Sequence, residues 1–394
     1  MSEWKEVKLG EIARSNQSTY SPKDNWKFAN YLDTGNITEN RISKILFIDL
    51  MKEDLPSRAR RKVRKNSIIY STVRPNQKHF GIIKNIPENF LVSTGFSVLD
   101  VDESKANPDF VYYSLIQEKN TASLQAVAEQ STSAYPAIKP SDIENLPIKL
   151  PPLAEQKRIA KILGSLDDKI ELNNKINRNL EEQAQTLFKN WFVDFEPFGG
   201  VMPADWRKGI LADIAEIKKR AFHPEKNPGL IVEHYSLPAL DEKHYPVFEV
   251  TDGIKSGKFI VSKESVLISK LNPDIKRIWR PYCISEHPIC STEFVVFEAK
   301  ENFNHDYLYS IIDSNQFYDF MCSLVTGSTN SHQRVSPNAL LAYALPIPAQ
   351  KVLKSFCDKI TPIYEMIEKN ALENQQLTAL RDTLLPKLMS GEEI

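Results

Sequence analysis

Residues 163–191 read LGSLDDKIELNNKINRNLEEQAQTLFKNW, and residues 360–388 read ITPIYEMIEKNALENQQLTALRDTLLPKL. A three-and-four spacing through the first stretch selects Leu163, Leu166, Ile170, Asn173, Asn177, Leu180, Ala184, Leu187 and Trp191. Through the second it selects Ile360, Ile363, Ile367, Asn370, Asn374, Leu377, Arg381, Leu384 and Leu388, each 197 positions beyond its counterpart. A seam sustained over several heptads predicts helices that pack knobs-into-holes. From Glu155 to Trp191 such a helix is about 55 Å long at ~1.5 Å per residue, too long for the core of a small globule, so it reads as a spacer. Asn173, Asn177, Asn370 and Asn374 stand where the seam wants leucine. Polar seam positions repeated in both stretches predict paired asparagines that lower stability and fix register. Pro386 predicts that the second helix ends or kinks near its C-terminus.

The same offset recurs outside the helices. Trp4-x3-Lys8-Leu9-Gly10-Glu11-Ile12-Ala13 returns as Trp206-x3-Ile210-Leu211-Ala212-Asp213-Ile214-Ala215. The run from Ser67 to Asn76 returns from Ser265 to Asp274, Ser93-Thr94-Gly95-Phe96 as Ser291-Thr292-Glu293-Phe294, and Ser131-Thr132 as Ser328-Thr329. Offsets between 197 and 202 across four blocks identify one duplication with small insertions. Each half opens with a globule of short β-branched or aromatic runs. Residues 67–73, 91–99, 266–269 and 294–297 read as strands, and 110–117 and 307–313 as short helices. Proline runs at Leu146–Pro152 and Leu345–Pro348 then mark the boundary to each long helix. The expected organisation is therefore a globule over 1–150, a helix over 151–198, a globule over 199–348 and a helix over 349–394. The fold class is α/β, in the α+β sense: two pseudo-symmetric copies separated by two long helices in an antiparallel coiled coil. If each helix leaves one globule and reaches the other they must run in opposite directions, and overlaying the seams centre to centre sets Asn177 against Asn374.

Hydrophobic residues at 41% and charged residues at 26% suit soluble globular folding. No apolar run approaches the roughly 20 residues of a membrane span, and the charged start at Glu3, Lys5 and Glu6 does not resemble a secretory signal. Cys283, Cys290, Cys322 and Cys357 form no CxxC pair, so a reduced, cytoplasmic protein is expected. A formal net charge of −1 gives no support to a globally basic nucleic-acid binder; any such binding must come from local clusters.

Two globules alternating with two long helices resemble the specificity subunits of Type I restriction–modification systems. Leu150-Pro151-Pro152-Leu153-Ala154-Glu155-Gln156-Lys157-Arg158-Ile159 is similar to that family's entry to its first helix. Trp191-Phe192-Val193-Asp194-Phe195-Glu196-Pro197-Phe198 is similar to the exit, and the run from Leu380 to Glu392 to the usual C-terminus. The resemblance implies a non-catalytic, DNA-binding subunit whose globules are target-recognition domains, each reading half of a split double-stranded DNA target. It implies that the helices set the separation and dock two methyltransferase subunits, with restriction and translocase subunits joining them. S-adenosylmethionine, ATP and Mg would serve those partners, with no cofactor on this chain and no membrane involved.

Candidate DNA contacts follow from side-chain chemistry. Arg58, Arg60, Arg61, Lys62, Arg64 and Lys65 put six cations in eight residues with no acid among them, suiting phosphate contacts. The loop carrying Arg74, Asn76, Gln77, Lys78 and His79 offers the side chains that read guanine and adenine edges. Its repeat partner carries Lys270, Asn272, Asp274, Lys276, Arg277 and Arg280. Small polar residues beside aromatic or cationic ones make a second candidate pair: Ser131, Thr132 and Tyr135 in one copy, Ser328, Thr329, Asn330, Gln333 and Arg334 in the other. The same residues also suit a helix N-cap.

No catalytic motif accompanies them. Gly253–Lys258 is too short for a phosphate loop, and neither Asn272-Pro273-Asp274 nor Asn227-Pro228-Gly229 matches the Asn-Pro-Pro-aromatic run of amino-methyltransferases. Glu103-Ser104-Lys105 and Glu298-Ala299-Lys300 contain only a fragment of a nuclease pattern. Cys283, His287 and Cys290 lack the fourth ligand of a structural zinc site. An enzyme with fused recognition domains has no place for its active site here. A coiled-coil scaffold explains the helices and not the duplicated, cation-bearing globules.

Overall fold

The computed structural model describes residues 4–130, 136–325 and 333–391. The chain divides into two compact units, Met1–Ile170 with Gln375–Ile394, and Glu171–Asn374.

In the first unit Lys5–Lys8 pairs antiparallel with Pro147–Leu150, closing the globule's ends on each other. Two four-stranded sheets lie between them. One runs in the order Leu46–Asp49, Phe28–Leu32, Phe90–Ser93, Ala59–Lys62, and the other Ala13–Ser15, Phe96–Val101, Ile68–Ser71, Phe80–Ile82. The sequence reading joined residues 91–99 into one strand. The structure splits it at Thr94 and Gly95, where the chain passes from the first sheet to the second. Residues 90–93 and 96–99 are all buried, so no in–out alternation marks the break. Asn107 caps the helix Pro108–Leu115 through its side chain to the Phe110 N–H (3.0 Å), with proline at the first turn.

The second unit repeats the plan. Arg207–Ile210 pairs with Ala344–Ile347, and a four-stranded sheet runs Ala215–Lys218, Phe294–Ala299, Ser265–Ser269, Ile278–Trp279. The other sheet keeps the order of its counterpart and gains a fifth strand, Ala221–Phe222, at its edge.

The long helices are Leu153–Phe192 and Gln350–Ser390. At the start of the first, the buried Gln156 accepts from the Asn107 N–H (2.8 Å) and donates to the Pro151 carbonyl (2.8 Å), which fastens the helix to its globule. Ile159, Ala160 and Leu163 then join Leu388 and Met389 in the first unit's core. In the second unit Ala184, Phe188 and Phe192 join Leu353, Phe356 and Ile360. Within each unit the two helices therefore run antiparallel. The second helix passes through Pro362 and Pro386 and ends at Ser390, four residues beyond the latter. Burial of Leu388 and Met389 holds that last turn, and Gly391 terminates it with φ +85°, where a Cβ would press on the Trp4 ring at 3.2 Å.

Seam asparagines bond across the pair. Asn173 Nδ2 donates to Asn374 Oδ1 (2.9 Å), Asn370 Nδ2 to Asn177 Oδ1 (2.8 Å), and Asn374 Nδ2 to Asn174 Oδ1 (2.9 Å). The pairing is thus crosswise, Asn173 with Asn374 and Asn177 with Asn370, rather than Asn177 with Asn374. The local dyad falls between two seam positions instead of on one, because knobs of one helix enter the gaps of the other. Of the other seam positions, Leu163 and Ile170 are buried, while Leu166, Leu180, Leu187, Ile363, Ile367, Leu377 and Leu384 are half-buried along the helices.

Globule-to-helix docking differs between the units. In the first, Tyr113 donates to Asp167 (2.7 Å), which also holds Arg381 (2.9 Å). In the second, Arg280 turns inward. Its Nη2 meets Asp306 at 2.9 Å, its Nη1 meets Glu368 on the second helix at 3.3 Å, and its guanidinium lies 5.6 Å from the Tyr364 ring. Only 16% of that side chain is exposed. The expected base-reading role for Arg280 is therefore wrong: two carboxylates from the fold itself claim the guanidinium.

Two stability outcomes are expected. Asn374→Leu alone should cost about 1–3 kcal/mol by stranding buried amides, whereas leucine at Asn173, Asn177, Asn370 and Asn374 together should leave thermal stability equal or higher. Arg280→Met should cost about 3 kcal/mol in chemical denaturation because Asp306 stays buried, and Glu368 half-buried, without their cation.

Candidate nucleic-acid interface

In each copy one sheet strand ends in a serine that shapes the loop after it. Ser71 Oγ donates to the Val73 carbonyl (2.9 Å) and accepts from the Val73 N–H (3.2 Å). Ser269 makes the same pair of bonds to Leu271 (3.0 and 3.1 Å). The next residue is left-handed in both copies, Arg74 and Asn272 each with φ 48°, and a proline follows. Asparagine tolerates that region; arginine rarely adopts it, and Lys78 at φ 55° closes the same loop.

Two further segments are stitched to each loop. Arg74 N donates to the Pro136 carbonyl (2.9 Å), Ile138 N to Thr72 (2.8 Å), and Thr72 N to Gly95 (2.8 Å). The second copy repeats these as Asn272 to Gln333 (2.9 Å), Val335 to Lys270 (3.1 Å), and Lys270 to Glu293 (3.0 Å). Each copy therefore gathers three pieces of backbone at one end of a sheet: residues 72–79, 93–95 and 136–138, then 270–277, 291–293 and 333–335. Ser131, Thr132, Tyr135, Ser328, Thr329 and Asn330 lie outside the described residues, in the segments that lead into Pro136 and Gln333.

On the first loop Arg74, Asn76 and Gln77 are exposed. Gln125 accepts from the backbone N–H of Asn76 (3.2 Å), leaving its side chain outward. Lys78 is shared by Glu39 (3.5 Å) and Glu118 (3.0 Å), and His79 Nδ1 donates to the Ile37 carbonyl (2.6 Å). On the second loop acids engage most of the cations. Lys276 meets Asp313 (2.8 Å), Arg277 meets Asp241 through two bonds (2.7 and 2.8 Å), and Arg334 meets Glu293. Asp241 raises the Arg277 pKa further. Lys270 Nζ donates to the Thr292 carbonyl (2.8 Å). Asp274 is exposed and Gln333 half-buried.

The six-cation run does not form one face. Its centre is the strand Ala59–Lys62, paired antiparallel with Phe90–Ser93. An extended chain advances ~3.3 Å per residue and alternates its side chains, so Arg58 and Lys65 sit at opposite ends and neighbours point apart. Arg58, whose carbonyl accepts from Thr94 N (2.8 Å), lies at the loop end. Lys62 bonds Asp24 (2.7 Å), holding that carboxyl below its usual range, and packs over Trp26 at 5.2 Å. Arg64 is tied to Asp100 (3.2 Å) and the Val101 carbonyl (2.8 Å). Arg61 is half-buried, its pKa lowered by desolvation, with Nε unpartnered among the described residues. Among the described residues Arg60 reaches the Ala59 carbonyl, at 3.5 Å. Sequence reasoning overlooked the acids that hold the second loop's cations: Asp241, Asp313 and Glu293. The repeat alignment carried a signal for the last, since Glu293 stands where the first copy has Gly95.

Among the described residues no cluster of His, Cys, Asp and Glu is arranged to hold a metal ion, and no helix is long and apolar enough to cross a membrane.

Residues 1–182 match the family model described as the Type I restriction modification DNA specificity domain. Over the whole of both chains the protein is 26% identical to the Type I restriction enzyme HindI specificity subunit of Haemophilus influenzae. It is 25% identical to the MjaIX specificity subunit of Methanocaldococcus jannaschii, over 94% of this chain and 85% of that one. The crystal structure of a Type I restriction-modification system S subunit from M. genitalium shares the fold with a TM-score of 0.58 at 14% identity, covering 98% of this chain and 96% of that one. The first 182 residues thus carry the Type I restriction modification DNA specificity domain, and over its full length the chain is similar to the specificity subunits of Type I restriction enzymes.

Proposed function

We propose that each three-segment loop cluster reads one half of a bipartite duplex target. One observation carries this: the two clusters share every stapling hydrogen bond and differ in the side chains they display. A conserved backbone platform with divergent polar groups suits two readers of unlike sequence. The chain supplies recognition and leaves chemistry to partners. Two methyltransferase subunits dock along the helix pair, restriction and translocase subunits complete the nuclease, and those subunits use S-adenosylmethionine, ATP and Mg. The helix pair acts as a ruler for the gap between half-sites, supported by its length of 40 and 41 residues, about 60 Å at ~1.5 Å per residue.

Selection from randomised duplexes tests the reading. Alanine at Arg74, Asn76 or Gln77 should relax one half-site and leave the other intact, and alanine at Asn272 or Gln333 should do the converse. Each lost bidentate contact should cost about 1–3 kcal/mol of discrimination. A variant that alters both halves contradicts the division of labour. The ruler has its own test. Crosswise pairing makes residues 171–177 and 370–376 facing heptads, and removing both shortens the pair by about 10 Å without touching either globule's docking residues. Because the seam asparagines go with them, a full-length chain with leucine at Asn173, Asn177, Asn370 and Asn374 is the control that separates lost register from lost length. The shortened chain should select the same half-sites with roughly three fewer base pairs between them, at ~3.4 Å each. An unchanged gap at full affinity would show that something else sets the spacing.

A further inference from the structure

The second copy's cluster holds a charged pair that the first copy lacks. Arg334 Nη2 donates to Glu293 Oε1 at 3.0 Å and Nε to Oε2 at 3.3 Å. In the repeat these positions are occupied by Ala137 and Gly95. Both residues sit on the stapled backbone: Glu293 O accepts from Lys270 N (3.0 Å), Val335 N donates to Lys270 O (3.1 Å), and Leu271 bridges to Arg334. Ser291 Oγ, which accepts from Glu293 N (3.2 Å), fixes the turn that carries the carboxylate. The arginine side chain is 55% exposed and the glutamate 28%, so the pair stands at the surface with the acid deeper than the base.

We infer that Arg334, held in a fixed plane by Glu293, reads a guanine in the half-site of the second globule; this rests on the proposal that the cluster faces DNA. The donor inventory supports it. A guanidinium has five N–H groups. The carboxylate takes Nε–H and one Nη2–H along one side, which leaves the Nη1–Nη2 end of the fork pointing away from it. That free end matches the paired O6 and N7 acceptors of guanine in the major groove. The same acid argues against a phosphate role. A carboxylate beside a phosphate adds like-charge repulsion, and a neutralised pair brings little net charge to displace counterions. A buttressed arginine gains orientation rather than attraction, and orientation serves base reading. Absence of both residues from the first copy means that this contact belongs to one half-site alone.

The experiment uses the full-length chain and duplexes drawn from selection. Arg334→Ala should erase discrimination, by about tenfold or more, at a single G·C pair in one half-site, with the other half unchanged. Arg334→Lys, which keeps the charge and loses the fork, should lose most of that discrimination too. Replacing that guanine by 7-deazaguanine, which lacks N7, should weaken wild-type binding and leave Arg334→Ala binding unaffected. Glu293→Gln should give a smaller loss at the same base pair. Thermal melting of each variant separates loss of reading from loss of folding. Uniform weakening on all duplexes, rescued by lysine and accompanied by a shallower salt dependence, would make Arg334 a phosphate contact and overturn the assignment. So would an unchanged consensus in Arg334→Ala. A wild-type chain that selects no consensus would remove the DNA-facing reading of the cluster, and the assignment with it.

Discussion

Every feature of the molecule hangs on the register of its two long helices, and that register is set by amides. Asn173 with Asn374 and Asn177 with Asn370 leave little freedom to slide, because a shift of one heptad would set Asn177, Asn370 and Asn374 against apolar residues. The arrangement is not optimised for stability: Asn173 Oδ1 is buried without a partner. Leucine at these layers would pack more favourably and would pack almost as well one heptad out. Polar seam layers trade stability for a single alignment.

From that register the globules follow. Each long helix gives its apolar first or last turns to a globule core, Ile159 and Leu163 with Leu388 in one unit, Phe188 and Phe192 with Phe356 in the other. Because the helix pair is nearly symmetric under the duplication, something else must distinguish its ends. The docking layers do so. Tyr113, Asp167 and Arg381 fasten one globule, and Arg280, Asp306 and Glu368 fasten the other. Tyr113, Asp167 and Arg381 have Ser310, Tyr364 and Ala184 as their counterparts, so the two docking layers are not interchangeable, and a buried charge left unpaired by a mismatch is penalised by several kcal/mol.

How much of this the sequence disclosed depends on the range of the interaction involved. Heptad periodicity is local, and it located both helices despite Pro362 and Pro386. The duplication is a comparison of the chain with itself, and it aligned the two reading loops to within a residue. What escaped were consequences of distant partners. Arg280 looked like a reader because its captors, Asp306 and Glu368, lie 26 and 88 positions away. The cation run looked like one patch because sequence does not say that Ala59–Lys62 is a strand with its ends far apart. The crosswise asparagines required knowing where the dyad falls, half a layer from where symmetric counting put it.

The same contrast explains how one scaffold carries two loop clusters with different side chains. Backbone hydrogen bonds between strand end, turn and returning segment are identical in kind in both copies, so they constrain the main chain and not the side chains that leave it. The N–H and C=O of Gly95 and of its repeat counterpart Glu293 make the same bonds, although in the first copy Thr34 would lie 2.8 Å from a Cβ at Gly95. The difference does change what the platform can hold, because a carboxylate there fixes the neighbouring guanidinium. Exposed side chains at these loops make few bonds to the fold, whereas charge buried beneath them, as at Arg280, is held by it. The loops of the two copies can therefore differ in their exposed residues one at a time, whereas a change at a buried charge requires a matching change in its partners.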